Sequence, residues 1–481
     1  MQRYRFICIT MLILLIAGLS PFSLSAKAAE ADSSSKINEI LQMIHTNHLS
    51  DASEEDLIEA AIQGMVDSLD DPYTEYFSKD ELADYLKAVE GGYLGIGITM
   101  AHDENGVYIA DVAKASPASQ IGLLKGDYIQ RINEKKLTFN NSDIVFEEAL
   151  SGSVEGSKIT LSIKRGNEIK SFTIPLKTMD IPTVTAKMLP EGVGYLALSG
   201  FTADADKAFT AALNELKSQR MKSLIIDLRY NGGGYIETAK AIAAHFIKDQ
   251  LLMTIRNKDG LEKPIMVSGG TKADYPIVIL VNEYSASASE VFAGAMQDYK
   301  LAEIVGVNTY GKGVTQNIMP VYNGGALKIT TEEYFTPKDN PVNHIGIKPD
   351  HEVKGDVAQM IKAYYAAGAK KVQLKLTKTD YTLNQIQFAG YGVEAYIEKN
   401  KDIFVPTRLI MAIADGVVGW DNESKLMVLT NGKVTTMLAT NSVNILMRDG
   451  ISYVSASYIH SKFPEISWTF INKTVILEAS H

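Results

Sequence analysis

Two short stretches carry the side chains best placed for chemistry. The first, Asn282-Glu283-Tyr284-Ser285-Ala286-Ser287-Ala288-Ser289-Glu290, follows an apolar run at 277–281 and opens a helically spaced segment through Phe292, Ala295 and Met296 to Asp298. A serine on such a strand-to-helix turn presents its hydroxyl, and the N–H groups of the first helical turn have no intrahelical acceptor, so they can meet an oxyanion. Ser287 followed three residues later by Glu290 is also a capping box, which needs no chemistry at all. The second stretch, Thr309-Tyr310-Gly311-Lys312-Gly313-Val314-Thr315-Gln316, sets a lysine between two glycines. An unperturbed lysine has a pKa near 10.4, leaving on the order of one molecule in a thousand neutral at pH 7. Lys312 can act as a base only if burial lowers that value by several units; otherwise it is a surface-turn lysine.

Two rival constellations are weaker. Gly306 to Lys312 has P-loop spacing, but Gly313 stands where Ser or Thr should hold magnesium. His344 or His351 could serve a histidine triad, yet neither has a recognisable partner motif.

The elements that must position these residues are legible in outline. Residues 37–89 show helical spacing, broken at Asp70-Asp71-Pro72. From 181 to 362 strand-like runs alternate with helical ones, with buried strands at 223–229 and 277–281, which is an α/β pattern. Between them, Tyr93-Leu94-Gly95-Ile96-Gly97-Ile98, Val107-Tyr108-Ile109, Ser116-Pro117-Ala118 and Tyr128-Ile129 resemble a PDZ domain over about 92–178. In that family the loop at Tyr93, Leu94, Gly95 and Ile96 turns its N–H groups to a peptide's terminal carboxylate, and the peptide adds as a strand. The last hundred residues hold two similar blocks, Ile403-Phe404-Val405 leading to Trp420, Lys425 and Leu429, and Ser452-Tyr453-Val454 leading to Trp468, Lys473 and Leu477. They resemble the copper amine oxidase N-terminal-like repeat module. Only His460 and His481 fall there, too few for copper, so a spacer or cell-wall contact is the expectation.

Composition bounds the rest. The 481 residues exceed one ordinary core, and 46% hydrophobic with 22% charged residues is globular. A formal charge of -10 without a dense basic run argues against nucleic acid. Arg3, Arg5, the apolar run 6–19 and Ala26-Lys27-Ala28 make a signal-peptide pattern; the run is short for a bilayer span, which needs about 20 residues. Export to the extracellular or envelope space follows, with membrane association if the segment is retained. Cys8, the single cysteine, lies inside it, so cleavage leaves no thiol.

Read together, Asp71-Pro72-Tyr73-Thr74, the PDZ-like insert, Asp227-Leu228-Arg229-Tyr230-Asn231-Gly232-Gly233-Gly234, the serine run, the Gly-Lys-Gly turn, Ala326-Leu327-Lys328-Ile329-Thr330-Thr331 and Gly346-Ile347-Lys348-Pro349-Asp350 resemble the carboxy-terminal processing peptidases. The resemblance covers 35–360. It implies Ser287 as nucleophile, Lys312 as base and Gln316 as the residue holding the lysine. It also implies an oxyanion hole from Gly232 or Gly233 with Ala288, and a coupling role for Arg165 on the last PDZ strands; Asp298 matches a recurrent aspartate read as structural. The implied fold is a multidomain α/β and β protein: signal peptide (1–28), N-terminal helical segment (29–90), PDZ-like domain (91–178), crotonase-like serine protease core (179–365) and C-terminal α+β repeat module (366–481). No cofactor is implied. Expected partners are proteins or peptides with free C-termini, an envelope contact through the C-terminal module, and a second copy through the N-terminal helices. A catalytically silent PDZ scaffold of the envelope is the rival reading.

Overall fold

The computed structural model describes residues 33–480 except 90–91, 104–105, 114, 139–140, 151–152, 167, 181–182, 323, 379–380, 389–394 and 449. The expected signal peptide lies outside the described residues. The described residues form two compact units, divided between Asp71 and Pro72. In the first, helices Ser33–Asn47 and Glu54–Asp67 are joined by a short turn. The Ser53 side chain accepts the Asp56 N–H at 3.0 Å, capping the second helix. Ile37, Ile40, Met43, Ile44, Ile58 and Met65 remain exposed along these helices.

The second unit is organised by a six-stranded sheet in the order Val184–Met188, Val193–Leu198, Ser223–Asp227, Ile277–Val281, Glu303–Gly306, His351–Glu352. All neighbours after the first pair are parallel. Both central strands are buried at every position, which is why they read as unbroken apolar runs rather than alternating ones. Leu224, Ile226, Ile279 and Val281 pack with Phe209, Phe246 and Phe292 from the helices Ala205–Ser218, Ile236–Ala243 and Ala288–Asp298 and their flanks. Ile225, Val278, Leu280 and Val305, on the opposite face, pack with Met360, Ile361 and Tyr364 of helix Asp356–Ala366. A second sheet carries the hairpin Val314–Pro320 and Ala326–Phe335, with Glu75–Phe77 paired along it.

The PDZ-like region has its own core, centred on Ile109, Leu161, Ile163 and Ile174. Its sheet begins at Ile98–Asp103, which pairs with Gly106–Val112. The expected carboxylate loop takes a different form. Gly92–Gly95 is a strand paired antiparallel with Lys177–Asp180, tying the two ends of the region together, and only Ile96 lies beyond it.

Each C-terminal block runs strand, helix, hairpin: Asp402–Pro406, Thr407–Ile413, Val417–Asp421 and Leu426–Thr430 in one, Ile451–Ser455, Ala456–Lys462, Ile466–Ile471 and Thr474–Ser480 in the other. Lys425 and Lys473 both adopt positive φ, 57° and 60°, at the hairpin turns, which accounts for the sequence echo. The region is not a separate body. One apolar cluster runs from Val193 and Ile225 through Tyr364 to Val405, Ile410 and Leu477. The Tyr364 hydroxyl donates to Pro190 O, and the Tyr365 hydroxyl to Ile413 O, each at 2.6 Å.

Candidate active site

Ser287 sits where the buried strand Ile277–Val281 has turned into helix Ala288–Asp298, at φ 55° and ψ -117°. A non-glycine residue rarely adopts that conformation, and such strain concentrates at functional turns. The neighbouring serines are structural. Ser285 is fully buried, donates to Leu228 O at 2.8 Å and accepts the Asn282 N–H at 2.9 Å. Ser289 is also fully buried and donates to Asn231 O at 2.9 Å. Ser287 alone in the run 285–290 is partly exposed.

The Glu290 carboxylate accepts the Ser287 N–H at 2.9 Å, whereas the Glu290 N–H goes to the Ser287 carbonyl at 2.8 Å. The same Oε2 of Glu290 accepts the Lys312 N–H at 2.9 Å. Its Oε1 accepts the Gly311 N–H at 2.7 Å and the Thr309 hydroxyl at 2.5 Å. Burial raises the Glu290 carboxyl above the ordinary carboxylate range, and these four hydrogen bonds offset only part of that rise. On the carbonyl side, the Tyr334 hydroxyl lies 2.6 Å from Lys312 O and 3.2 Å from Ser287 O. Two buried side chains thus hold the serine and lysine backbones together, one by their N–H groups and one by their carbonyls.

The glycines around Lys312 are dictated by crowding. A Cβ on Gly313 would fall 2.0 Å from Asn343 N, and Gly311 has φ +89° with Gly346 N 3.1 Å from where its Cβ would be. Gly233, at φ +104°, presses on the nucleophile: an added Cβ would meet Ser287 Cβ at 2.8 Å and Ala288 N at 3.0 Å. The Gly233 N–H donates to Asn231 Oδ1 at 2.9 Å, while Gly232 has open space on its Cβ side. Ala288 is the first helical residue, where an N–H has no intrahelical acceptor. The loop is anchored from behind: Arg229 bonds Asp227 Oδ2 at 2.6 Å and Asp356 O at 2.8 Å, and the Tyr230 hydroxyl donates to Asp356 Oδ2 at 2.8 Å.

Ser287, Ala288, Gly233 and Lys312 therefore converge. Gln316 lies farther along the lysine hairpin and donates to Thr330 Oγ1 at 3.2 Å. Asp298 accepts the Lys338 N–H at 2.8 Å, a structural role. Arg165 is engaged inside the PDZ-like region, by Asp127 Oδ1 and Oδ2 at 2.7 Å each and by Gly122 O at 2.8 Å. Tyr93, Leu94, Gly95 and Ile96 belong to that region as well, the first three on the strand paired with Lys177–Asp180 and Ile96 in its buried core.

Comparison with known proteins bears on this arrangement directly. Residues 192–353 match the model of peptidase family S41, 92–176 that of the PDZ domain, and 21–81 that of the activating protease CtpB N-terminal domain. Carboxy-terminal processing protease CtpB of Bacillus subtilis is 30% identical over 372 residues, covering 75% of this chain and 76% of its own. The chain belongs to peptidase family S41. A second relative, the carboxy-terminal-processing protease of Bartonella bacilliformis, is 31% identical over 336 residues, covering 68% of this chain and 77% of that protein. A solved structure, the photosystem II D1 C-terminal processing protease, is 26% identical at a TM-score of 0.47, covering 66% of this chain and 87% of that one.

This S41 peptidase is a PDZ-containing serine endopeptidase acting on protein or peptide substrates. Sequence reasoning missed two of its site residues. Glu290 stood out only as a local cap, and Tyr334 carried no signal, because its link to Ser287 and Lys312 exists only once the hairpin has folded.

Proposed function

We propose that this S41 peptidase is an exported endopeptidase that cuts near the unstructured C-terminal ends of envelope or secreted proteins. Ser287 is the nucleophile and Lys312, neutral in the working state, takes its proton; the proton then passes to the leaving amine, and water hydrolyses the acyl-enzyme. Gly232 and Ala288 supply the oxyanion N–H groups, since the Gly233 N–H is already given to Asn231. Gln316 orients the amine from the strand Val314–Pro320 that follows it. The observation that carries the reading is the single carboxylate oxygen of Glu290 shared by the Ser287 and Lys312 N–H groups.

Capture of a free C-terminus by the PDZ domain gates the cut. In support, the strand Ile98–Asp103 stands at the end of its sheet, where a peptide can add. Arg165 enters this gating by stiffening the last PDZ strands through Asp127. The basic and apolar pattern of residues 3–28 supports export. The core is of the crotonase-like type, the C-terminal repeats contact the envelope, and the exposed apolar residues of the two N-terminal helices pair with a second copy.

The test is cleavage of an unfolded protein by the chain lacking residues 1–28, with and without an added peptide bearing a free C-terminus. Turnover lost in Ser287→Ala, Lys312→Ala and Lys312→Arg, and stimulated by the peptide in the parent, is the expected result; guanidinium cannot give up its proton at working pH. Substantial turnover by either lysine variant removes Lys312 from the mechanism, and peptide-independent rates remove the gating.

A further inference from the structure

Lys312 is met from another part of the chain by Tyr73. Its Nζ lies 4.7 Å from the centroid of the Tyr73 ring, inside the roughly 6 Å range in which an aromatic face attracts a cation. The ring is half-buried and firmly mounted. Thr74, next in the chain, is buried and accepts the Thr330 N–H on Oγ1 at 3.1 Å. Glu75–Phe77 then pairs antiparallel with Ala326–Lys328, on the hairpin that begins just after Lys312. Lys328 closes the joint, with Nζ 2.7 Å from Glu75 Oε2 and 5.1 Å and 4.8 Å from the rings of Phe77 and Tyr85. Tyr73 and Lys312 thus each lie two residues before a strand, Glu75–Phe77 and Val314–Pro320, that pairs with the same strand Ala326–Phe335, and their approach is not a chance meeting of two mobile side chains.

We propose that Tyr73 is a positioning residue for Lys312: its ring fixes where the amine sits and sets how readily the amine gives up its proton. The inference rests on the reading of Lys312 as general base. An aromatic face favours the charged amine, while apolar bulk around it favours the neutral one. The tyrosine ring does both. Leucine keeps the apolar bulk and lacks the π face, so Tyr73→Leu separates the two effects. The other titratable groups about the turn are Glu290 and Tyr334 on its backbone, Glu333 opposite Val314, and His344, whose N–H donates to Gly311 O. All stay constant in the comparison.

The experiment is kcat/KM against pH for the parent, Tyr73→Phe, Tyr73→Leu and Lys312→Ala in the full chain. Tyr73→Phe keeps the parent profile. Tyr73→Leu moves the acid limb to lower pH by roughly half to one and a half units, because the charged amine has lost its partner. It also lowers the plateau kcat about tenfold through misplacement of the amine, with KM little changed. Tyr73→Met, equally apolar and unbranched, gives the same shift and serves if the leucine variant does not fold. A Tyr73→Leu profile superimposed on the parent, with Lys312→Ala inactive, overturns the inference and leaves the lysine base standing. Loss of activity in Tyr73→Phe also overturns it, by making the phenol hydroxyl the working group. Full activity of Lys312→Ala removes the base and the inference together.

Discussion

Ser287 and Lys312 donate their backbone N–H groups to the same atom, Oε2 of Glu290, at 2.9 Å each. The carboxylate is fully buried and acts as a spacer between the two turns. In Glu290→Gln an amide NH2 must replace one oxygen and confront donors on either side. The expected outcome is a fall in kcat of about a hundredfold with KM within a few-fold, since small misplacements of reacting groups carry that cost. Unchanged kcat in a folded Glu290→Gln protein would show that the spacing does not matter.

Gly233→Ala tests the approach of the glycine loop to the nucleophile. The new methyl would lie 2.8 Å from Ser287 Cβ on a backbone at φ +104°. A strain of about 1–3 kcal/mol follows, seen as a lower Tm, and turnover is abolished because the oxyanion N–H groups move. Parent-like turnover would place the oxyanion hole elsewhere.

Arg229→Ala removes the anchor of that loop. The Arg229 and Asp227 side chains are 6% and 8% exposed, and the alanine leaves Asp227 buried without its partner. Destabilisation of about 3–5 kcal/mol in urea unfolding is expected, with loss of activity at temperatures where the fold persists. A change below about 1 kcal/mol would mean that water compensates the aspartate, as it does for surface pairs.

His245 gives the fold a pH dependence away from the site. Burial first, then the Lys217 charge, holds its imidazole below the ordinary value of 6.5. Thr210 donates to Asp206 O at 2.7 Å, so at 2.8 Å it accepts from His245 Nε2. A depressed folded-state value means that the neutral ring stabilises the fold above pH 6.5, and that this contribution is lost as pH falls through the folded value. Tm should therefore drop between about pH 7 and pH 5, and less steeply in His245→Gln. Equal slopes in the two proteins would assign the acid sensitivity to other groups.

The sequence made the strands Ser223–Asp227 and Ile277–Val281 legible because full burial leaves unbroken apolar runs, and the serine turn because strand, small residues and helix follow in order. The spacing of Ser287 and Glu290 was visible too, but its meaning was not. Three of the four groups on the Glu290 carboxylate come from Thr309, Gly311 and Lys312, which no local pattern ties to it. Tyr73 and Tyr334 are ordinary residue types that gain importance only through strand pairing. The PDZ resemblance made Tyr93–Ile96 a carboxylate loop, whereas Gly92–Gly95 is a strand whose partner, Lys177–Asp180, lies at the far end of the region, where no local pattern points to it. The two similar blocks of the last hundred residues announced a repeat, but not that it packs against the core sheet.

Helix Asp356–Ala366 is a keel shared by two hulls. Its Asp356 grips Arg229 and Tyr230 beside the glycine loop, while Tyr364 and Tyr365 join the sheet to the C-terminal repeats. A fragment trimmed to residues 192–353, those that match the peptidase family, would lose that helix, bare the apolar face of the sheet beneath it and slacken the glycine loop at once. Silence from such a fragment would report a broken scaffold, not a missing nucleophile.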